Sequence, residues 1–293
     1  VMIDRIGSSE SYELISADMT RQGGGIRLIN GDLVKVLPVI DRVENVVLLD
    51  GHLLKPGAMQ WRRDIKVSDI IIDVATLKQG ADLSTALIER ENPVSKRTEV
   101  LYFNLGNALS NPLSKDNLSL QARDRIIVFN THDQRADQLK NLVNRMAREA
   151  SSSEISPLVR IKGFVRHGGT YPIANEMRLT DLIEYAGGFQ VGSDRSYVIL
   201  ARTDAETLKV DVTALDLTHN RYNPKLKAGD EIYLFGRNSN RTEILNSLLE
   251  KLRQQASINT PTQVVKVTGS VRAPGFYPLV AGMRIEHLLV AAG

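Results

Sequence analysis

A chain of 293 residues with 42% hydrophobic and 24% charged side chains has the make-up of a globular protein with core for about two domains. Its formal charge of +3, from 37 basic and 34 acidic residues scattered throughout, offers no basic stripe for nucleic acid, and no apolar run approaches the length of a membrane-spanning helix. Cysteine is absent, which excludes disulfides and thiolate metal sites and is compatible with a periplasm or a cytoplasm alike.

Val1 leads directly into a charged, strand-like stretch without signal-peptide layout, so any targeting segment is expected upstream. The first recognisable element is Leu28-Ile29-Asn30-Gly31-Asp32-Leu33-Val34-Lys35-Val36, a turn feeding a strand. It returns at Leu120 to Phe129 around Asp124 and at Leu226 to Phe235 around Asp230. Residues 1–40 therefore read as the C-terminal part of a preceding module. An aspartate in such a turn suits capping of its own backbone better than general-base chemistry.

The next signature is Leu49-Asp50-Gly51 followed by Lys55-Pro56-Gly57, two glycines six apart. It recurs as Gly163 with Gly169 and as Gly269 with Gly275, the first glycines lying 112 and then 106 residues apart. A unit of small-domain size repeats, which points to an array of modules. In each copy the glycine turn joins two strand-like runs, Val159 to Val165 and Thr170 to Ile173 in the second, and this predicts a hairpin. Pro56-Gly57 and Pro274-Gly275 suit a turn that wants a fixed and then a positive φ.

A short helix is predicted after each hairpin from apolar residues at helical spacing: Val67, Ile70, Ile71, Val74; Leu179, Leu182, Ile183, Ala186; and Ile285, Leu288, Leu289, Ala292. One face of each is expected to be buried. Gly187-Gly188 and Gly293 close the last two. Tyr197 to Ala201 and Lys209 to Val212 read as further strands. A second, amphipathic helix carries Leu139, Leu142, Val143, Met146 in one copy and Leu245, Leu248, Leu249, Leu252 in the next, in each case beginning its apolar series 15 residues after the turn aspartate. From Asp124 to Gly163 and from Asp230 to Gly269 the distance is 39 residues, but from Asp32 to Gly51 it is 19, so the passage from the N-terminal part-module to the first full module lacks the helix, and the helix-linked junctions are the two that follow. Such a helix could pack on its own module or meet a neighbour, and packing within the chain is favoured. The boundaries that follow are 1–40, a module over 41–132, a helix over 133–153, a module over 154–238, a helix over 239–259, and the N-terminal part of a further module over 260–293.

Catalytic chemistry is thin. His52, His132, His167, His219 and His287 stand far apart with no metal-ligand spacing, and surface or turn placement is expected of them. No cofactor, metal site or catalytic residue is indicated, and the chain reads as non-enzymatic. For glycan contact the candidates are aromatic faces and arginines. Tyr171 and Tyr277 recur just after the turn, where hairpin packing is an equal reading. Arg166 and Arg272 recur in the hairpin, and Arg178 and Arg284, with Lys66 in the first copy, recur just before a helix; each is open to a glycan, a salt bridge or solvent. Trp61, the one tryptophan, lies beside Arg62-Arg63.

The sequence Gly269-Ser270-Val271-Arg272-Ala273-Pro274-Gly275-Phe276-Tyr277-Pro278, then Met283-Arg284-Ile285 and Ala291-Ala292-Gly293, resembles the soluble-ligand-binding β-grasp (SLBB) module of outer-membrane polysaccharide export proteins. Gly163-Phe164-Val165-Arg166, Tyr171-Pro172, Met177-Arg178 and Ala186-Gly187-Gly188 repeat it closely. The first copy keeps Gly51, Pro56-Gly57 and Lys66, places Trp61 beyond the turn and has no closing glycine pair. The resemblance implies an α+β fold of tandem β-grasp-like modules, here with an extra amphipathic helix between them. It further implies a periplasmic place in an outer-membrane-associated protein, self-association, an inner-membrane copolymerase as partner, and capsular or exopolysaccharide as cargo. The family's amino-terminal export domain and pore-forming helix are not in this sequence, so an internal portion of a longer protein is expected. The alternative is a β-grasp binder of an oligosaccharide or cobalamin-like ligand without an export role.

Overall fold

The computed structural model describes residues 2–6, 12–16, 26–35, 45–133, 135–151, 154–218, 222–257 and 261–293. They fall in two units, Val1–Glu44 and Asn45–Gly293. In the first, β1 (Met2–Ile6) lies between β2 (Tyr12–Ser16) and β3 (Leu33–Lys35), antiparallel to both. Asp32, just before β3, accepts two hydrogen bonds from the Arg5 guanidinium, at 2.9 and 2.7 Å, and one from the Ile29 N–H at 2.9 Å. Those donors, Arg5 foremost, hold the Asp32 carboxyl down at about 2.

The second unit opens with β4 (Val46–Gly51), β5 (Gly57–Gln60), α1 (Val67–Ile70), β6 (Ala81–Glu91), β7 (Thr98–Phe103), α2 (Leu105–Ser110) and β8 (Arg125–Asn130). These strands form one five-stranded sheet in the order β5-β4-β8-β6-β7, in which only the β4–β8 pair is parallel. After α3 (Arg135–Glu149) the pattern repeats with β9 (Leu158–Gly163), β10 (Gly169–Pro172), α4 (Leu179–Tyr185), β11 (Ser193–Thr203), β12 (Val210–Leu215) and β13 (Glu231–Gly236), ordered β10-β9-β13-β11-β12. Then α5 (Arg241–Gln254) leads to the hairpin of β14 (Val264–Val267) and β15 (Gly275–Pro278) and to α6 (Ile285–Ala292). The molecule is thus α+β, built of tandem β-grasp-like modules with an amphipathic helix between successive ones. The β2-β1-β3 order of the first unit is that of β7-β6-β8.

The centre strand explains the layering. All six residues of β13 are buried, because α4 covers one face of the sheet and α5 the other. Ile232 and Leu234 meet Leu179, Leu182 and Ile183, while Tyr233 and Phe235 meet Leu245, Leu248 and Leu249. Gly163 ends β9 at φ 88°, where a side chain would run into the Leu234 carbonyl of the parallel partner; that carbonyl instead accepts the Phe164 N–H at 3.0 Å. Gly51 meets Val128 in the same way.

The Arg–Asp pair recurs in each copy. Arg90 binds both oxygens of Asp124 at 2.9 and 2.6 Å, and Arg202 those of Asp230 at 2.8 and 2.7 Å. The same carboxylates cap their turns, accepting the N–H of Gln121 at 2.7 Å and of Lys227 at 2.8 Å. The aspartates do cap their backbones, and they also tie the turn to the neighbouring strand.

Two helices differ from expectation. The first is shorter than its apolar spacing predicts: α1 stops at Ile70, Ile71 is extended, and Val74 begins a separate 3-10 turn with 54% of its surface exposed. Ile70-Ile71-Ile72, three β-branched residues in a row, lose side-chain freedom in a helix. In α6 the expected apolar face is not buried as a whole: Ile285 is 78% and Leu289 52% exposed, against 0% for Leu179 and 3% for Ile183. The β14–β15 hairpin supplies no counterpart of β11 and β13 to cover that face. Among the described residues no helix is long and apolar enough to cross a membrane.

Candidate functional site at the module junctions

The helix between modules has a core on both sides. Leu139, Leu142 and Met146 of α3 share one hydrophobic cluster with Leu87, Val100, Ile127 and Phe129 of the first sheet and with Val159, Ile161 and Tyr171 of the second module. In α5, Leu245, Leu248, Leu249 and Leu252 do the same between Tyr197, Ile199 and Phe235 on one side and Val267 and Tyr277 on the other. The helix is thus both the outer layer of one module and the platform for the next hairpin.

Each helix begins with a buried arginine. Arg135 is 0% and Arg241 2% exposed. Arg135 donates to the Asp82 carboxylate in β6 and to the Tyr185 carbonyl at the end of α4. Arg241 donates to Asp194 in β11 at 2.5 Å and to the Ala291 carbonyl in α6 at 2.8 Å. Each guanidinium therefore joins the sheet of one module to the C-terminal turn of the next module's helix, where the helix dipole favours a cation. Aromatic faces complete the seat: Arg135 lies 5.0 Å from the Phe129 ring centre, and Arg241 lies 5.5 Å from that of Phe235 and 5.6 Å from that of Tyr197.

The carboxylate is set by a strand irregularity. Strand register shifts between Ala81 and Ala86, and again between Asp194 and Val198. In that bulge Asp82 accepts the Ser84 N–H and O–H at 2.8 and 2.6 Å, and Asp194 those of Ser196 at 3.0 and 2.6 Å. Burial alone would raise the pKa of Asp194, but the donors Ser196 and Arg241 outweigh it and lower it. Sequence reasoning missed all four charged residues. Their signal was there: Asp82 and Asp194 are 112 apart and Arg135 and Arg241 are 106 apart, the spacings of the glycine signature.

The turn glycines divide by neighbourhood. A side-chain carbon at Gly169 would lie 2.7 Å from Ala136 Cβ in α3, and one at Gly275 would overlap Thr242 in α5. At Gly57, ahead of which the sequence has no such helix, nothing lies within 4 Å, and Gly269 is equally open.

The aromatic candidates do not present faces to a ligand. Tyr171 and Tyr277 are fully buried against the linking helices, with hydroxyls donating to the His167 carbonyl at 2.6 Å and the Ala273 carbonyl at 2.5 Å. Burial raises the pKa of both. Met59, at the corresponding place in the first module, is 44% exposed. Trp61 is half-buried against the first module's core and donates its Nε1–H to the Leu120 carbonyl at 2.9 Å, so it pins a loop. The four arginines are exposed. Arg178 binds the Asn223 carbonyl at 2.8 Å, and Arg284 lies 3.8 Å from Glu286. The backbone N–H groups of Arg178 and Arg284 are capped from three residues on, by Asp181 at 2.8 Å and by His287 at 3.2 Å.

Of the histidines, His167 lies in a turn, as one of the two expected placements has it, but is buried there: it is 3% exposed, its Nδ1 has no partner among the described residues, and burial lowers its pKa. His52 reaches the Gln79 carbonyl at 2.8 Å, His132 is exposed beside Gly80, and His287 is exposed; His219 lies outside the described residues. Among the described residues no three His, Asp or Glu side chains are grouped to hold a metal.

A cavity of about 680 Å³ opens at the first junction, with Met146, Ile155 and Pro157 as apolar lining and Asp211, Lys227 and Arg202 as polar lining. Residues 157–234 match the family model for the SLBB domain, and residues 264–293 match a second SLBB domain model. No curated protein matches the chain. The first match covers the second module from β9 through most of β13, and the second covers β14 to α6. The chain is therefore an SLBB-containing protein, whose β-grasp-like modules are fastened in series through buried arginines.

Proposed function

We propose that this chain is a non-enzymatic, periplasmic portion of a polysaccharide export protein, in which stacked SLBB modules form a stiff scaffold that self-associates and contacts the glycan in transit. The observation that supports this most is the repeated junction. A buried arginine, an aromatic seat and a continuous core fix one module on the next, as a scaffold that must hold its shape alongside a polymer requires. Capsular or exopolysaccharide is the cargo in this reading, and an inner-membrane copolymerase the partner, both taken from the resemblance described above; the SLBB matches support the modules themselves.

The test is made in cells that carry the gene. Fractionation should place the protein in the periplasm or with the outer membrane, and the Arg135→Ala, Arg241→Ala variant should reduce extracellular polysaccharide without changing its repeat unit. Polysaccharide output unaffected by loss of the protein would overturn the proposal. The junction cavity favours a second reading, since about 680 Å³ is the size of a small-ligand site. Saturable one-to-one binding of an oligosaccharide or cobalamin-like ligand, abolished by Ala228→Trp, would support that reading instead.

A further inference from the structure

At the second junction three guanidinium groups line one groove of about 1100 Å³: Arg195 and Arg237 from the second module and Arg272 from the third. All three are exposed, and none makes a side-chain hydrogen bond or ion pair among the described residues. Arg195 is pre-set, its guanidinium lying 4.4 Å from the centre of the Phe189 ring. The single acidic side chain of the lining, Asp194, is already engaged by Arg241 and Ser196. Val191, at 95% exposure, gives the groove apolar surface beside the charges.

The repeat separates what the fold needs from what it does not. The clamp residues have the same identities at both junctions, but Arg195 corresponds to Leu83 and Arg237 to Thr131, and only Arg272 has a basic counterpart, Arg166. The first junction folds without two of these cations, so their presence at the second is not a requirement of the architecture. Three uncompensated guanidinium groups over an open, partly apolar groove suit a ligand with spaced carboxylates and exposed C–H faces, because the guanidinium fork pairs with a carboxylate through two hydrogen bonds.

We infer that this groove is a binding site for an acidic oligosaccharide segment, held through its uronate carboxylates by Arg195, Arg237 and Arg272; the inference rests on the glycan-contact reading and names its site and charge. The test is calorimetric titration of the chain, at physiological salt, with a short oligogalacturonate and with a neutral oligosaccharide of equal length, sedimentation velocity being run on the same samples. The oligogalacturonate should bind and the neutral sugar should not. Arg195→Ala with Arg237→Ala should weaken binding about tenfold or more, since a lost charged hydrogen bond of about 1.5 kcal/mol corresponds to a factor of about ten. Arg195→Lys should recover only part, and Arg166→Ala at the other junction should leave binding unchanged. Three results would overturn the assignment. Equal binding of the neutral sugar, indifferent to the arginines, puts glycan contact elsewhere and spares the export reading. Equal competition by inorganic phosphate makes the groove a general anion site. If no sugar binds while the chain still self-associates, the scaffold stands without this site.

Discussion

The two junctions of the molecule are built on one frame and dressed differently. Both have a helix starting with a buried arginine, a bulge aspartate stabilised by a serine two residues on, and a tyrosine of the next hairpin packed under the helix. Around that frame the charges change sign. At the first junction Asp50 lies 3.5 Å from Arg125, and Arg145 of α3 pairs with Glu89. At the second, the positions of Asp50 and Arg125 are held by Lys162 and Glu231, which pair at 3.1 Å, and Lys251 of α5 joins Glu231 at 2.6 Å. Either sign satisfies that pair, which is open to solvent at its lysine end, whereas the clamp cannot be reversed: a carbonyl and a carboxylate both demand a donor.

The sharpest way to break this likeness is at the clamp. Arg135→Ala leaves Asp82 buried without its partner, and loss of one side of a buried pair costs about 3–5 kcal/mol. A urea midpoint well below that of the parent is expected, and Arg241→Ala should behave alike toward Asp194. Arg135→Lys should recover less than half, since a single ammonium cannot span carboxylate and carbonyl with the fork of Arg. The double variant Arg135→Met, Asp82→Leu should be far less damaged than the two single losses added together. If the two losses simply add, the arginine and the aspartate do not act as a pair.

A smaller effect tests the helix as a platform. Gly169 and Gly57 hold the same place in their hairpins, at φ 156° and 142°, but only Gly169 faces a helix. Gly169→Ala must push Ala136 away and should cost about 1–3 kcal/mol of overpacking, beyond the backbone strain that Gly57→Ala shares. Thermal denaturation of the two variants should show the larger loss at Gly169. Equal losses would mean that α3 yields without resistance.

The elements that sequence exposed were those whose signal is local. The glycine pairs, the turn aspartates and the apolar spacing of α3 to α5 each lie within a few turns of chain, and their recurrence showed the modules before any contact was known. What stayed hidden depends on contacts across long separations. Arg90 finds Asp124 34 residues away, and Arg135 finds Asp82 53 residues away, while nothing near Arg135 distinguishes it from a surface arginine in a first helical turn. Tyr171 was ambiguous for a different reason. A buried hairpin residue and a sugar-stacking residue are both aromatics beside a turn, and only the helix laid across it decides between them. Arg195 and Arg237 lacked the repeat signal altogether, because the first junction has Leu83 and Thr131 in their places.

The smallest expected effect lies in the charges that reverse. Burial would raise the pKa of Glu231, but donors from Lys251, Tyr233 and Lys162 prevail and hold it at about 2, against an ordinary value of 4.5. A carboxylate whose folded-state pKa is depressed contributes stability above its unfolded value and loses it as the pH falls through the folded one. Glu231→Gln should therefore be less stable than the parent at neutral pH, with the gap closing between about pH 4.5 and pH 2. Lys162 and Lys251 are 29% and 42% exposed, so the gap is expected to be modest and to shrink in high salt. The reversed variant Lys162→Asp, Glu231→Arg, Lys251→Glu surrounds position 231 with two acidic partners, as Asp50 and Glu89 surround Arg125, and should keep its fold; its acid profile should lack the step assigned to Glu231. Urea midpoints of the three proteins across that pH range decide the matter. A gap between the parent and Glu231→Gln that stays constant down to pH 2 would mean that Glu231 acts through packing and not through its charge.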